Sequence, residues 1–185
     1  WTVFDFNHVP SEPILRQEAT DIIDSILHFG LTGIPTHHVV VGSRGSGKTL
    51  TLKYLQSVAP QQADVDMVYV NCRNSNTSFR VFAELLDDGP TLGFGLSELY
   101  ERFLQQYRRK TVVVLDEVDL MSPKDKRREI LYLLSRSEQP YMVIMLSNSP
   151  HVLKQLDAAT RSSLQPVPLH FRNYDAVAGR VKTGH

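Results

Sequence analysis

The sequence contains a single cysteine, Cys72, among 185 residues. A lone cysteine cannot form an internal disulfide, and it cannot build a metal site from several thiolates. Long apolar runs are missing too: residues 112–115 are typical, whereas a membrane-spanning helix needs about 20 apolar residues. We therefore expect an intracellular protein without a membrane partner, in the cytoplasm or nucleoid of a prokaryote or in the nucleus of a eukaryote.

The sequence also lacks an excess of charge of either sign. Twenty Lys and Arg residues balance twenty Asp and Glu residues, so the formal net charge is zero. This balance excludes a strongly basic surface built mainly to coat nucleic acid, while local basic patches stay compatible with it. The length favours one domain, and because the sequence starts at Trp1 rather than Met we expect a segment of a longer protein.

Helical and extended patterns alternate along the chain. Apolar runs predict strands at residues 39–41, 67–71, 111–115, 142–146 and 167–171. Helical spacing predicts helices at residues 15–30, 48–58, 79–86, 96–107 and 122–134. Gly30 and Pro60 are expected to end the first two helices, Pro168 predicts an edge strand or bulge, and His37 and His38 are expected on the surface. Continuous apolar strands separated by helices predict a parallel α/β sheet covered on both faces.

A glycine-rich pattern follows the first predicted strand and matches G-x-x-x-x-G-K-[ST] at every fixed position. Its residues are Gly42, Ser43, Arg44, Gly45, Ser46, Gly47, Lys48 and Thr49. Glycines let backbone N–H groups turn towards phosphate oxygens, and the following helix adds the positive end of its dipole. Lys48 can reach the β and γ phosphates, and the Thr49 hydroxyl can ligate Mg²⁺. The alternative, a glycine-rich turn that binds nothing, is disfavoured because strand, loop and helix come in the required order.

Two acids, Asp116 and Glu117, follow the strand predicted at residues 111–115. Ligands of parallel sheets bind at the carboxyl ends of strands, so we expect Asp116 beside a phosphate-bound Mg²⁺ and Glu117 further into the cleft. A carboxylate there can orient and deprotonate an attacking water, which makes Glu117 the expected general base. In isolation such a pair is often a solvated strand end, but the phosphate-loop pattern favours the catalytic role.

An amide, Asn148, follows the strand predicted at residues 142–146. At the end of a strand next to the acid-bearing one, an amide can hold the attacking water or the γ phosphate. A lone Asn before a Ser-Pro pair is also ordinary turn chemistry, and that alternative stays open. The two preceding motifs favour the site role, so Asn148 is a third candidate catalytic residue.

Together these residues resemble an AAA+ ATPase module, an α/β P-loop NTPase fold whose five-stranded parallel sheet has the order 5-1-4-3-2 with helices on both faces. Asn148 matches the position called sensor 1. An ordered set of further segments is similar to the replication-initiator family of origin recognition complex subunit one and cell division control protein six, common in archaea. These segments are residues 6–10, 15–18, 68–72, 131–134, 146–148, 162–164 and 171–176.

The resemblance implies a domain division and further site residues. Residues 1–175 would form the ATPase core with an N-terminal helix, and residues 176–185 the start of a lid that is truncated or absent. ATP or ADP would bind with Mg²⁺, with Thr49 and Asp116 as metal ligands. By the same resemblance Val9, Pro10 and Arg16 would contribute to nucleotide binding.

The resemblance also implies a neighbouring AAA+ subunit that supplies or receives an arginine finger. Matching the Ser162-Ser163 pair puts Ala159 where the family's arginine is expected, so the finger is either missing or supplied by Arg161. The alternative for Arg161 is a solvated loop arginine. Because the finger contributes roughly 10³- to 10⁵-fold to turnover, the chain alone is expected to be a weak ATPase.

DNA is the other partner that the resemblance implies, with weak binding by this segment because the family's winged helix is not in it. A contact is expected at residues Gly89 to Leu96, with Phe94 as its apolar member; a glycine loop that covers the core is the alternative. The expected function is an ATP-binding and ATP-hydrolysing core of a replication-initiator-like protein whose nucleotide state controls assembly on DNA. The alternatives are a transposition or clamp-loader type helper ATPase that acts on a protein partner, and a nucleotide-binding scaffold without turnover.

Overall fold

A computed structural model describes residues 17–86, 93–125 and 129–173 of the chain. The strands are β1 (His38–Val41), β2 (Asp66–Asn71), β3 (Thr111–Asp116), β4 (Tyr141–Ser147) and β5 (Val167–His170). The helices are α1 (Gln17–Thr32), α2 (Lys48–Gln62), α3 (Ser78–Leu85), α4 (Leu96–Gln106), α5 (Glu129–Ser135) and α6 (Ala158–Leu164). Two short 3₁₀ helices lie at Val118–Leu120 and Val152–Gln155. None of the described helices is long and apolar enough to cross a membrane.

The five strands form one parallel sheet in the order β2-β3-β4-β1-β5. This is the expected order 5-1-4-3-2 read from the other edge, so the sheet prediction is confirmed. In the register of the sheet, Val39 of β1 lies opposite Met145 of β4, and Val113 of β3 lies opposite Val143 of β4. Because every strand runs the same way, the loops that follow β1, β3 and β4 meet at one end of the sheet.

Helices cover the sheet on both faces, and successive strand residues point to alternate faces. Val113 and Leu115 of β3 pack with α3, α4, α5 and α6, whereas Val112 and Val114 pack with α1 and α2. Every residue of β3 and β4 is therefore buried, which explains why these strands are continuous apolar runs in the sequence.

The predicted ends of the first two helices are wrong. α1 continues past Gly30 to Thr32, and a Cβ at Gly30 would lie 3.3 Å from the Ala63 side chain. That glycine therefore serves close packing against the end of α2, and it does not end the helix. α2 likewise passes through Pro60, which is exposed and lies in the last turn. The proline removes one backbone hydrogen bond there, and the helix ends two residues later at Gln62.

The helix predicted over residues 122–134 is shorter in the structure, where α5 is described from Glu129 and residues 126–128 lie outside the described ranges. Ser122 closes a turn instead, because its carbonyl accepts from the Asp125 N–H at 3.0 Å. The Asp125 carboxylate then binds the Ser78 N–H at 2.8 Å and the Ser78 hydroxyl at 2.6 Å. The Ser-Pro signal thus marks a turn that is tied to the start of α3.

Strand β5 forms one edge of the described sheet, as Pro168 predicted. The N–H groups of Val167 and Phe171 donate to carbonyls of His37 and Val41, each at 2.8 Å. Along a strand, the backbone N–H groups of successive residues point to opposite sides. The nitrogen of Pro168, next to Val167, therefore faces away from β1. The expectation that His37 and His38 lie on the surface is wrong, since both are buried at the start of β1.

Candidate functional site

The glycine-rich loop turns tightly between β1 and α2. Gly45 and Gly47 have φ values of 78° and 87°, in the left-handed region that favours glycine. Gly42 meets a different need, because a Cβ there would lie 2.6 Å from the carbonyl oxygen of Phe171. α2 begins at Lys48, so the positive end of its dipole lies where the loop ends. The backbone therefore has the form of an anion cradle.

A cleft of about 320 Å³ lies at this loop. Its lining consists of residues 44–50 together with Asp116, Glu117 and Asn148. These groups come from the loops after β1, β3 and β4, and the parallel sheet brings all three loops to one end. The volume is within the range of sites that take a small molecule.

The Lys48 side chain lies over the loop and is surrounded by oxygen atoms. Its Nζ donates to the Gly42 carbonyl at 2.5 Å, the Ser43 carbonyl at 3.0 Å, the Ser46 Oγ at 3.2 Å and the Asn148 Oδ1 at 2.9 Å. An ammonium has three N–H groups, so four neutral acceptors share them, and an anionic oxygen is a stronger acceptor than any of the four. Burial lowers the pKa of Lys48 below its ordinary value, although nearby carboxylates, Asp116 foremost, partly offset this effect. The group is therefore suited to a phosphate.

Asp116 is a buried carboxylate with donors on both oxygens. The Thr49 Oγ1 donates to Oδ2 at 2.7 Å, the Tyr69 hydroxyl donates to the same oxygen, and the Glu117 N–H donates to Oδ1 at 2.8 Å. A carboxylate next to a threonine hydroxyl is a set of hard oxygen ligands, the kind that Mg²⁺ prefers. The residues present therefore fit Mg²⁺. Burial and the hydrogen bond to Asp116 raise the pKa of Tyr69, so its hydroxyl remains the donor.

Glu117, the expected general base, lines the cleft and is paired with an arginine. Arg73 Nε and Nη2 lie 3.1 and 3.0 Å from its two carboxylate oxygens. This pair holds the pKa of Glu117 below its ordinary value, so the carboxylate is charged at neutral pH. Glu117 also has a φ of 52°, a backbone conformation that is unfavourable for a side chain with a Cβ. Arg73 and the turn together hold this side chain at the mouth of the cleft.

Asn148 contacts two parts of the site. Its Oδ1 accepts from Lys48, and its backbone N–H lies 3.4 Å from Asp119 Oδ1. The amide is thus part of the cleft wall, as the sensor position implies, and its role towards a phosphate stays a prediction. Across the described residues, no group of three or more His, Cys, Asp or Glu side chains forms a separate metal cluster.

Arg161 lies outside the cleft lining. It is exposed on α6, which begins at an N-cap where Asp157 Oδ1 accepts from the Thr160 N–H at 3.1 Å. The solvated-loop alternative for Arg161 is therefore wrong about the backbone, which is helical. Ala159, at the family's arginine position, is exposed on the same helix. The role of Arg161 as a finger for a neighbouring subunit stays a prediction.

Several predicted site residues lie beyond the described ranges. Val9, Pro10 and Arg16 precede residue 17, and residues 176–185 follow residue 173. Of the expected DNA-contact segment Gly89 to Leu96, residues 93–96 are described. Phe94 packs against the core, and the Arg102 guanidinium lies 4.1 Å from its ring centre. This packing favours the alternative in which Phe94 covers the core.

Sequence reasoning missed Tyr69 and Arg73. Both lie at the carboxyl end of β2 or just after it, beside the strand that carries the acids. Polar residues at the end of the neighbouring strand are the signal that could have found them, because parallel strand ends meet. To predict that Tyr69 pairs with Asp116 and Arg73 with Glu117, the order of the strands would also have to be known.

Comparison with known families decides the class of protein. The profile of the family described as AAA domain matches residues 35–156, which include the glycine-rich loop, both acids and Asn148. The chain belongs to the AAA domain family. This AAA domain has the five-stranded parallel sheet expected of it, so the predicted fold class is confirmed. AAA domains are nucleotide-binding domains that typically work with Mg²⁺.

Relatives of the AAA domain confirm the resemblance to replication initiators. The chain is 29% identical over 196 residues to the ORC1-type DNA replication protein of Thermococcus kodakarensis, covering 94% of this chain and 47% of the relative. The structure of the Aeropyrum pernix ORC1 protein in complex with DNA matches with a TM-score of 0.75 and 26% identity, over 94% of this chain and 50% of that one.

A further solved structure, Cdc6p from Pyrobaculum aerophilum, matches with a TM-score of 0.67 over 95% of this chain and 52% of that one. At 22% identity this likeness shows the shared fold alone. The AAA domain described here spans about half the length of the curated relatives it matches.

Proposed function

We propose that the chain binds ATP with Mg²⁺ and hydrolyses it, as the ATPase core of a replication-initiator-type protein whose nucleotide state controls assembly on DNA. One observation carries the proposal: the Lys48 ammonium, the Thr49–Asp116 pair and Glu117 line a single cleft at the glycine-rich loop. Activation of water needs a carboxylate such as Glu117 beside the phosphate, whereas nucleotide binding alone does not need one. The intact set therefore favours hydrolysis over binding alone.

The residues of the cleft take separate roles in this proposal. Lys48 leaves the Gly42 and Ser43 carbonyls for phosphate oxygens, which are stronger acceptors. Thr49 and Asp116 would hold the Mg²⁺, which would neutralise charge on the phosphates. Glu117 orients the attacking water and takes its proton.

Glu117 and Asn148 differ in how ready they are for these roles. Asn148 already touches Lys48, so it lies where a γ phosphate would meet the ammonium. Glu117 accepts two hydrogen bonds from Arg73, and a carboxylate that is paired with a guanidinium in this way is a poorer base. The proposal therefore includes movement of Glu117 away from Arg73 before water is activated.

DNA and neighbouring AAA subunits are the partners that we propose. DNA is supported by the relative from Aeropyrum pernix, whose structure is a complex with DNA. A neighbouring subunit is supported by the exposed Arg161, which lies outside the cleft of its own chain. We also propose that residues 1–175 form the core and that residues 176–185 begin a lid. With no finger from a neighbour, hydrolysis by the isolated chain is expected to be slow.

Replacing Lys48 with Ala tests the binding step. Loss of charge-assisted hydrogen bonds to phosphate is expected to weaken binding of a fluorescent ATP analogue by roughly 10- to 100-fold. Equilibrium titration in the presence of Mg²⁺ measures the dissociation constant. The matched control is Lys154→Ala, which removes the same charge from an exposed lysine outside the cleft lining and should leave affinity unchanged. Unchanged binding by the Lys48 variant would overturn the phosphate-loop assignment.

A further inference from the structure

Tyr69 lies behind the cleft lining, where it contacts Asp116, and no motif gives it a role. It lies in β2, where Tyr69 is opposite Val114 and Asn71 is opposite Asp116 of β3. Side chains two residues apart share a face of a sheet, so Tyr69 and Asp116 both point towards α2. A tyrosine is long enough to reach the carboxylate two residues further along, whereas a shorter side chain is not.

The Tyr69 hydroxyl completes the set of donors on Asp116. It donates to Oδ2, the oxygen that also accepts from Thr49, while Oδ1 accepts from the Glu117 N–H. The Asp116 residue is only 2% exposed, so water contributes little to its solvation. Three donors on two oxygens fix the carboxylate in one orientation before any metal is bound.

The ring of Tyr69 is itself held in place. Lys53 Nζ lies 5.1 Å from the ring centre, and the ring packs with the apolar residues between the sheet and α2. Lys53 is four residues after Thr49 on the same helix, so it lies one turn further along the same side of α2. Tyr69 therefore spans from the helix that carries Thr49 to the strand that carries Asp116.

We propose that Tyr69 is a positioning residue for the metal: its hydroxyl holds the Asp116 carboxylate in the orientation in which Asp116 and Thr49 bind Mg²⁺ with a nucleotide. The proposal rests on the proposed function, because it assumes a Mg²⁺–nucleotide complex in the cleft. Residues that hydrogen-bond a ligating carboxylate set its orientation, and their loss typically lowers metal affinity by about 10- to 100-fold.

Tyr69→Phe keeps the ring and removes the hydroxyl. The readout is the ratio of the dissociation constants of a fluorescent ATP analogue measured in EDTA and in saturating Mg²⁺. This ratio is the gain in affinity from Mg²⁺. We expect the gain to be about tenfold smaller in the variant than in the wild type, while the affinity in EDTA is the same in both. The matched control is Tyr107→Phe, which removes a hydroxyl that donates to the Leu85 carbonyl at 2.6 Å, outside the cleft. That control should keep the full gain.

Two results would overturn the positioning role. The first is a Tyr69→Phe variant that keeps the full gain from Mg²⁺, and the second is an equal loss of affinity with and without Mg²⁺, which would indicate a merely structural effect. A wild-type chain that binds no nucleotide would instead overturn the proposed function, so the two failures are distinguishable.

A double-mutant cycle tests whether Tyr69 acts through Asp116. In an Asp116→Asn background, the additional change Tyr69→Phe should leave the remaining Mg²⁺ gain unaltered, because the oriented carboxylate is already gone. Additive losses in the two variants would show that Tyr69 acts on the metal independently of Asp116, and the proposal would be wrong.

Discussion

The two ends of the same sheet carry polar groups in contrasting surroundings. At the amino end, His37 Nδ1 accepts from the Val143 N–H at 3.0 Å, and Lys110 Nζ donates to the Gly30 carbonyl at 2.6 Å. At the carboxyl end, Lys48 and Asp116 also have internal partners, but they border a cleft of about 320 Å³.

This difference follows from the direction of the chain. In a parallel sheet the carboxyl ends lead into helix N-termini, whose N–H groups are unpaired and whose dipoles attract anions. The amino ends receive chain from helix C-termini, and there a cation such as Lys110 satisfies a carbonyl at the end of α1. One end of the sheet is therefore suited to bind a ligand, while the other ties helices to strands.

The largest effect is expected from a substitution of Glu117, at the carboxyl end of the sheet. Glu117→Gln keeps the shape and removes the base, so turnover should fall by roughly two to four decades while nucleotide still binds. Phosphate release under single-turnover conditions measures the first quantity, and titration with an ATP analogue measures the second. An unimpaired rate in the variant would remove Glu117 from its catalytic role.

At the amino end of the sheet, the expected effect is a loss of stability at acidic pH. Burial, together with the neighbouring His38, lowers the pKa of His37 from 6.5 to about 4. The folded protein therefore favours neutral His37, whose Nδ1 accepts a backbone N–H, and this contribution is complete above pH 6.5 and is lost as the pH falls towards 4. We expect the free energy of unfolding to fall by about 2–3 kcal/mol between pH 7 and pH 4 through this residue.

Urea unfolding at several pH values measures this dependence. His37→Asn retains an acceptor for the Val143 N–H and does not titrate, so the variant should lose less stability on acidification than the wild type. His151→Asn changes an exposed histidine and is the matched control, with the wild-type dependence expected. Equal pH dependence in all three proteins would contradict the assignment to His37.

The smallest effect is expected when an exposed arginine is replaced at either end of the sheet. Arg73 pairs with Glu117 in the cleft, and Arg109 pairs with Asp64 and Asp66 at the amino end. Arg73→Ala should raise turnover roughly two- to fivefold, the size expected for release of an exposed ion pair, because Glu117 becomes free to accept a proton. The pKa of Glu117 should rise as well, which moves the acidic limb of the pH–rate profile to higher pH.

Arg109→Ala is the control for this comparison. Its partners lie away from the cleft, so turnover should be unchanged. Steady-state rates across pH 4 to 8 distinguish the two variants. A lower rate in Arg73→Ala would show that the arginine assists the reaction, contrary to the expectation.

The strands and the glycine-rich loop were predictable because their signals are local. β3 and β4 are buried on both faces, which leaves unbroken apolar runs, and the loop is defined by residue types at fixed spacing. The contacts of Asp116 with Tyr69 and of Glu117 with Arg73 join residues 47 and 44 positions apart, so only the folded sheet brings them together.

Helix signals were less dependable where packing overrides propensity. Gly30 and Pro60 both disfavour helix, yet each lies inside a helix. The buried faces of these two helices pack on the sheet, and this packing stabilises the helices despite the two residues. α6 was missed because only Thr160 and Leu164 of its seven residues are buried, too few for a periodic pattern. His37 and His38 were placed wrongly because hydrogen-bonding partners for buried histidines cannot be read from neighbouring residues.

The outward-facing nitrogen of Pro168 has a consequence for how copies of this domain can meet. A bare edge strand normally offers a row of N–H groups on which a further strand can add, but β5 interrupts that row at its centre. A strand added at β5 would therefore lack one backbone hydrogen bond, which disfavours a continuous sheet between two subunits at this edge.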